Sequence, residues 1–179
     1  MLNESEEKNM GVLEDTKCYL GGPIEFEMGP NWRIPVVEVL EGEFGVQVLD
    51  PFNDPKQQWA PALKKAREKK DFKTMRKIAR KFVHKDLCWV DRSDFTISNL
   101  PHGVCTTGSH HEITQANDRK KPTLLVCSKG KEYVPFWYQG FIKQKYMFGK
   151  WKKLYKYLRA VEAGLHDRDE RWHYVLGLI

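Results

Sequence analysis

The segment TTGSHHEITQAN, residues 106–117, brings together residues that can do chemistry where a helix is predicted to begin. Glu112 follows Gly108 by four positions, with His110 and His111 between them. A glutamate in the first turn of a helix can simply match the positive end of the helix dipole. It can also be a reacting carboxylate, because a nearby glycine lets a ligand approach the backbone closely. The rest of the chain has to decide between these two interpretations.

A second segment with chemical potential follows the first predicted strand. KCYLGG, residues 17–22, predicts a short buried strand that ends in a glycine turn. Gly21 and Gly22 permit backbone conformations that most residues resist, and they let a ligand reach main-chain N–H groups. By itself, however, a Gly-Gly-Pro after a strand is equally compatible with a plain tight turn.

Strands and helices alternate along the chain. The patterns predict strands at 17–22, 46–51, 94–100, 122–128 and 145–148, and helices at 31–45, 56–90, 109–121, 134–141 and 150–163. Asn31 is the predicted N-cap of the first helix, which closes on Gly45. The alternation indicates an α/β protein with a parallel sheet covered on both faces. Because carboxyl ends of parallel strands share one edge, GGPIEF, DPFND and TTGSHHE are expected to lie together there.

Composition sets ordinary limits on the class of protein. The 179 residues are 41% apolar and 30% charged, as is typical of a globular domain. No apolar run approaches the roughly 18 residues of a membrane span, and the acidic start lacks signal-peptide features. We therefore expect a cytoplasmic protein in which residues 1–16 form a disordered or extended tail and residues 17–179 form one domain.

The cysteines favour a reduced protein without a metal site. Cys18, Cys88, Cys105 and Cys127 are far apart and form no C-x-x-C pair, so neither disulfides nor a zinc site are expected. Cys18 and Cys127 fall in apolar strand segments and are predicted to be buried.

Positive charge is concentrated in residues 63–81 and 143–159 of a chain whose net charge is +6. The helical pattern favours lysines and arginines on a solvated face. Attraction of a phosphorylated small molecule is the next alternative, and nucleic acid binding is the third. In the second segment, helical spacing favours a core or subunit contact over base stacking for Trp151, Leu154, Tyr155 and Leu158.

The order and spacing of the motifs resemble the nucleoside 2-deoxyribosyltransferase family, including related deoxynucleoside 5′-monophosphate N-glycosidases. The resemblance extends from about residue 17 to residue 128 and rests on YLGGPIEF, NW, VQVLDP, KDLCWVDRSDFTISNL and GSHHEITQANDRKKPTLLV. It implies a flavodoxin-like fold, with a five-stranded parallel sheet and helices on both faces. It also implies a homodimer or higher homo-oligomer that uses no cofactor. Residues 56–85 are then a basic helical insertion, and residues 131–179 a C-terminal helical part that contributes to the oligomer contact.

The resemblance also implies roles for individual residues in cleaving the N-glycosidic bond of a 2′-deoxynucleoside or deoxynucleotide. Glu112 matches the nucleophile that traps the sugar at C1′. Asp86 matches the aspartate that serves the nucleobase, and Asp94 a further, supporting aspartate, with a strand-start cap as its structural alternative. Tyr19 matches a tyrosine that positions the nucleophile, with a plain core tyrosine as the alternative. Substrate contacts are implied for Gly21, Gly22, Pro23, Ile24, Thr106, Gly108, Ser109 and His110.

One position departs from the nucleoside-acting members of the family. Six residues before the glutamate, those enzymes carry an acid that holds the sugar 5′-hydroxyl, whereas the monophosphate hydrolases carry a hydroxyl residue. Here the position is Thr106, and hydroxyls and helix N–H groups bind a phosphate that a carboxylate would repel. A 2′-deoxynucleoside 5′-monophosphate N-glycosidase is therefore the alternative to a deoxyribosyltransferase. A non-catalytic nucleotide- or DNA-binding module is the alternative of another class.

Overall fold

Five short strands assemble into one sheet in the computed structural model of the chain, which describes residues 11–24, 32–104 and 106–176. The strands are β1 (Lys17–Gly21), β2 (Gln47–Leu49), β3 (Phe95–Asn99), β4 (Thr123–Val126) and β5 (Met147–Phe148). They lie in the order β2-β1-β3-β4-β5, and every neighbouring pair is parallel. The predicted flavodoxin-like α/β fold with a five-stranded parallel sheet is confirmed.

Seven α-helices lie between or after these strands in the described part of the chain. They are α1 (Arg33–Phe44), α2 (Ala60–Glu68), α3 (Phe72–Arg92), α4 (Thr107–Asp118), α5 (Phe136–Gln139), α6 (Trp151–Glu162) and α7 (Glu170–Val175). Helix α1 ends at Gly45, whose φ of 64° is the left-handed conformation expected of a C-cap glycine. The predicted N-cap Asn31 lies outside the described residues. None of the described helices is long and apolar enough to cross a membrane.

The helices cover both faces of the sheet because alternate strand residues point to opposite sides. Tyr19 of β1 packs with Val90 of α3 and Ala116 of α4, whereas its neighbour Leu20 belongs to a larger cluster. Helices α1 and α6 contribute to that cluster Val36, Leu40, Leu154, Leu158 and Val161. As predicted, Cys18 and Cys127 are buried, and the apolar stripe of α6 belongs to the core.

The chain begins to pack against the core before the first strand, earlier than predicted. Residues 11–16 form a turn in which Leu13 is fully buried. The backbone N–H groups of Val12 and Leu13 donate hydrogen bonds to the Glu162 carboxylate at 2.8 and 3.0 Å. The predicted tail over 1–16 is therefore wrong for its last six residues, while residues 1–10 lie outside the described part.

The short helix α7 was not predicted, and it completes the core near the start of β3. Trp172 is fully buried and packs against Phe95 with ring centroids 5.1 Å apart. Its indole N–H donates a 2.8 Å hydrogen bond to the Tyr157 hydroxyl. A helix of six residues shows too little periodicity for sequence patterns to find it.

We predict that Trp172→Ala lowers the free energy of unfolding by about 3–5 kcal/mol, because it empties a fully buried site and leaves the Tyr157 hydroxyl without its donor. Urea unfolding followed by circular dichroism measures the change. The matched control is Phe72→Ala, which removes an aromatic ring that is 73% exposed and should change stability little. A loss below about 1 kcal/mol in Trp172→Ala would show that α7 does not contribute to the folded core.

Candidate active site

The polar and glycine-rich segments meet at the point where the strand order reverses. From β1 the chain passes to β2 on one side and then returns to β3 on the other. The loops beyond the carboxyl ends of β1 and β3 therefore diverge and leave a crevice, the usual ligand site of such sheets. Gly21 ends β1, Asn99 ends β3, and helix α4 begins a few residues after β3.

Close packing at this crevice explains the first glycine of the loop. A Cβ atom on Gly21 would lie 2.7 Å from the Ser98 hydroxyl and 3.3 Å from Oε2 of Glu112. The Glu112 carboxylate thus lies directly against the end of β1. On its other side, the nearest atom to a Cβ on Gly108 would be Oε1 of Glu112, at 3.9 Å. The carboxylate is therefore held between the two glycine-containing segments.

The second glycine has a conformational as well as a steric reason. Gly22 has a φ of 146°, which L side chains rarely adopt. A Cβ there would lie 3.1 Å from the Trp32 ring and 3.2 Å from the Asn99 carbonyl oxygen. The β1 loop can pass between α1 and the end of β3 only because it carries no side chain at this position.

Helix α4 begins earlier than predicted, which changes the environment of Glu112. The first helical residue is Thr107, after the extended N-cap Thr106, so Glu112 lies in the second turn. The helix dipole acts mainly within the first turn, so the predicted dipole stabilisation of Glu112 is wrong. The Thr106 hydroxyl instead donates a 2.6 Å hydrogen bond to the buried Ser109 hydroxyl.

Three side chains from different elements set the charge state of Glu112. Burial raises the pKa of the Glu112 carboxyl above its ordinary value, while Tyr19, Lys56 and Arg33 oppose that rise. Burial also raises the pKa of the Tyr19 hydroxyl, and the neighbouring Glu112 carboxylate adds to the effect. Within the described residues the buried Tyr19 hydroxyl has no partner at normal hydrogen-bond geometry, and Glu112 is the charged group that acts most strongly on its pKa.

Arg33 connects the loop after β1 with the residue after β2 through a hydrogen bond and an ion pair. It is buried, its Nε lies 3.0 Å from an Asp50 carboxylate oxygen, and its Nη2 donates to the Gly22 carbonyl at 3.2 Å. A second, longer bond of 3.4 Å runs to the carbonyl of Pro23. Burial lowers the pKa of Arg33, and the nearby Asp50, Tyr19 and Glu112 oppose that shift. Arg33 thus positions the loop and contributes positive charge beside the nucleophile candidate.

Lys56 connects Glu112 with the predicted base-binding residue Asp86. Its ammonium group forms a buried ion pair with Asp86 of α3 and lies 5.6 Å from the centroid of the Trp89 ring. Asp54 accepts a 2.8 Å hydrogen bond from the Lys56 backbone N–H. It also forms an ion pair with Lys85, with the two charged atoms 2.6 Å apart. Burial lowers the pKa of Lys56 to about 8, against the opposing attraction of Asp54, Glu112 and Asp50.

A cavity of about 270 Å³ opens beside the amino end of α4. Thr106, Ser109 and His110 line it, and the His110 ring stacks on Tyr138 with Nδ1 2.5 Å from the tyrosine oxygen. The other lining residues are Pro23, Asn99, Leu100, Pro101, His102, Gly103, Val104, Tyr133, Pro135 and Tyr138. The described lining contains hydroxyls and two histidines but no acidic residue, which suits an anionic group.

Two candidate residues do not join the others. Asp94 lies at the amino end of β3, opposite the crevice, where its carboxylate accepts a 2.6 Å hydrogen bond from the Lys17 backbone N–H. This is the strand-start cap that the sequence left open as the alternative to a supporting role. His111 is exposed and is absent from the cavity lining. Ile24 is half-buried at the end of the described β1 loop.

Sequence reasoning missed Arg33, Lys56 and Ser98. Lys56 lies within a segment rich in lysine, where nothing in the local pattern distinguishes a buried ammonium from the solvated ones around it. Its neighbour Asp54 in the DPFND segment offered the one available signal, since aspartates at turns often cap the following residues.

Comparisons with known proteins support the fold. No protein-family model and no curated protein sequence matches this chain. Among solved structures, it is similar to a 2-deoxyribosyltransferase from the psychrotolerant bacterium Bacillus psychrosaccharolyticus, with a TM-score of 0.51 and 16% sequence identity. The similarity covers 78% of this chain and 90% of that chain.

The chain has the fold of a 2-deoxyribosyltransferase. Since one fold can host many activities, the chemistry has to be inferred from the residues of the site. In this deoxyribosyltransferase fold, the described structure brings Tyr19, Gly21, Asp86, Gly108 and Glu112 to the crevice at the carboxyl edge of the sheet.

We predict that Lys56 loses its proton near pH 8, whereas an ordinary lysine does so above about pH 10. Protein labelled at lysine ¹³Cε should show one resonance that titrates near pH 8 in an NMR titration. That resonance should be absent from Lys56→Met and retained in Lys145→Met, which removes a lysine from a different ion pair, with Asp169. A spectrum in which Lys56 titrates with the ordinary lysines would contradict the buried environment described above.

Proposed function

We propose that this protein cleaves the N-glycosidic bond of 2′-deoxynucleosides or deoxynucleotides and transfers the deoxyribosyl group to another base. The supporting observation is the Glu112 carboxylate, which is held against Gly21 at the end of β1 and surrounded by Tyr19, Lys56 and Arg33. The two cations favour its ionised form, and the glycines leave the backbone open to a sugar. A carboxylate so placed can act as a nucleophile toward C1′ of the sugar.

The reaction proceeds as a double displacement. A Glu112 oxygen forms an ester bond to C1′ as the bond from C1′ to the base nitrogen breaks, and the electron pair of that bond goes to the leaving base. The second base then attacks C1′ from the opposite side, and the carboxylate is released. The sugar configuration is retained, because two inversions occur at the same carbon.

The leaving base needs a proton or equivalent hydrogen bonds, for which Asp86 and Lys56 are the candidates. Lys56 favours the ionised form of Asp86, so this carboxylate accepts a hydrogen bond from an N–H group of the base. The ammonium of the pair is the proton donor, since a pKa of about 8 makes it a stronger acid than an ordinary lysine.

A hydrolase of deoxynucleoside 5′-monophosphates is the second candidate, and the cavity beside α4 favours it. This cavity presents the Thr106 and Ser109 hydroxyls and the His110 ring, with no acid in its described lining. Together with the amino end of a twelve-residue helix, these groups suit a 5′-phosphate. Water then takes the place of the acceptor base in the second displacement.

We predict that Glu112→Ala lowers the rate of base release on the order of 10³-fold or more, because it removes the nucleophile. Chromatography measures the free base released from the four deoxynucleosides and their 5′-monophosphates, with and without an acceptor base. Glu41→Ala, a change on the exposed surface of α1, is the matched control and should retain the wild-type rate.

The same assay separates the candidate functions. Turnover only with an acceptor indicates a transferase, and release from monophosphates without an acceptor indicates the hydrolase. During turnover, the intact mass should rise by one deoxyribosyl or deoxyribosyl phosphate group, localised to the peptide that contains Glu112. If folded wild-type protein releases no base from any of these substrates, both enzyme functions are wrong and a binding module remains.

We predict that Tyr19→Phe moves the acid limb of kcat/KM to higher pH. The Tyr19 hydroxyl lowers the pKa of Glu112, so its removal lets the carboxylate take up a proton at a higher pH, and the protonated form is not a nucleophile. A pH–rate profile measures the shift, and Tyr155→Phe on α6 is the control. An unchanged limb, or one moved to lower pH, would show that Tyr19 does not act on Glu112.

We predict that Thr106→Asp raises KM for deoxynucleoside 5′-monophosphates at least about tenfold without raising KM for deoxynucleosides, because a carboxylate repels phosphate in the cavity. Steady-state kinetics on both substrate classes measures the change. Thr107→Asp adds the same charge at an exposed position outside the cavity lining and should have a much smaller effect. Equal effects of the two variants would show that the cavity does not hold the 5′-substituent.

A further inference from the structure

The hairpin of α2 and α3 has a higher net positive charge than the chain as a whole. Residues 60–81 contain ten lysines and arginines and only two acids, a net charge of +8, against +6 for all 179 residues. The rest of the protein is therefore slightly acidic. All ten cations are exposed: Lys64, Lys65, Arg67, Lys69, Lys70, Lys73, Arg76, Lys77, Arg80 and Lys81. A net charge of +8 within 22 residues indicates a binding surface for an anionic partner.

The charges on α3 form one line on the outer side of the helix. Lys73, Arg76, Lys77, Arg80 and Lys81 follow each other at the spacing that places residues on one helical face. The opposite face, which includes Ile78 and Val90, is buried. From Lys73 to Lys81 the helix rises about 12 Å, and the cations of α2 extend the surface further. A surface of this extent matches a polymer with several phosphates better than a single phosphate group.

Exposed aromatic rings among these cations favour nucleic acid over other polyanions. Phe72, at the start of α3, is 73% exposed, and Trp59, just before α2, is 40% exposed. The Lys81 ammonium lies 4.3 Å from the centroid of the Trp59 ring. Cations that contact phosphates, interleaved with rings on which bases stack, are the usual composition of single-strand binding surfaces. A helix that binds a membrane surface would need its apolar face free, whereas that face of α3 is buried.

The charged surface and the crevice both involve helix α3. Asp86 lies five residues beyond Lys81 on the same helix, and Lys85 pairs with Asp54, which caps Lys56. We propose that the α2–α3 hairpin binds single-stranded nucleic acid, with phosphates on the cation line and bases on Phe72 and Trp59. This binding goes beyond the proposed glycosidic chemistry and does not require turnover.

Fluorescence anisotropy with a labelled oligothymidylate tests the surface over a range of salt concentrations. The variant K73Q/R76Q/K77Q/R80Q removes four charges from the line. We expect its affinity to fall on the order of 30-fold at low salt, and the slope of log K against log salt to flatten by about 3. The matched control K150Q/K152Q/K153Q/K156Q removes four exposed charges at α6 and should lose less than about threefold.

Phe72→Ala tests the stacking contribution without changing charge, and it should weaken binding about fivefold or more. Polyglutamate and phosphatidylserine vesicles serve as competitors, and neither should displace the oligonucleotide at comparable charge concentration. The proposal is overturned by the absence of saturable binding, by equal losses in both quadruple variants, or by polyglutamate competing equally while Phe72→Ala has no effect. Circular dichroism confirms folding of each variant, and base release from mononucleotides is measured separately. Binding without base release would therefore contradict the proposed function alone.

Discussion

The partial burial of the Glu112 carboxylate against the end of β1 is the constraint on which the rest of the crevice depends. A charged carboxylate removed from water is costly unless cations or hydrogen-bond donors compensate for it. Here the compensation comes from Arg33, Lys56 and Tyr19, which belong to three different parts of the chain. The pKa of Glu112 is raised nonetheless, which means that burial outweighs the compensation. Such a carboxylate is less well solvated than a surface one and correspondingly more ready to react.

The two compensating cations are each fixed by further interactions. Arg33 reaches from α1 to Asp50 beyond β2 and to the carbonyl of Gly22. Lys56 is held between its capping residue Asp54 and the Asp86 carboxylate of α3. The crevice is thus assembled by helices from both faces and the loops of both central strands. Its geometry depends on the sheet order β2-β1-β3, which brings the ends of β1 and β3 together.

The two halves of α3 lie in different environments: the first half belongs to the basic hairpin, and the second half borders the crevice. In the first half of α3, lysines and arginines remain in water, where their charges repel one another weakly and attract anionic partners over a distance. In the second half, Asp86 and Trp89 turn toward Lys56, and the ammonium becomes buried. The basic insertion, to which the sequence analysis assigned no role, therefore contributes Lys56 to the crevice and also carries the charged surface of α2 and α3.

Sequence alone determined the alternation of strands and helices, because apolar periodicity and glycine caps are local properties of the chain. It also indicated that the segments around Gly21 and Glu112 would meet, since parallel strands align their carboxyl ends at one edge. Only the tertiary structure decided that Asp94 lies at the opposite edge, that Glu112 occupies the second turn of α4, and that Lys56 is buried. These outcomes depend on exact helix starts and on contacts between residues distant in sequence. Burial of a charge is a property of the assembled fold, so no local pattern of residues can reveal it.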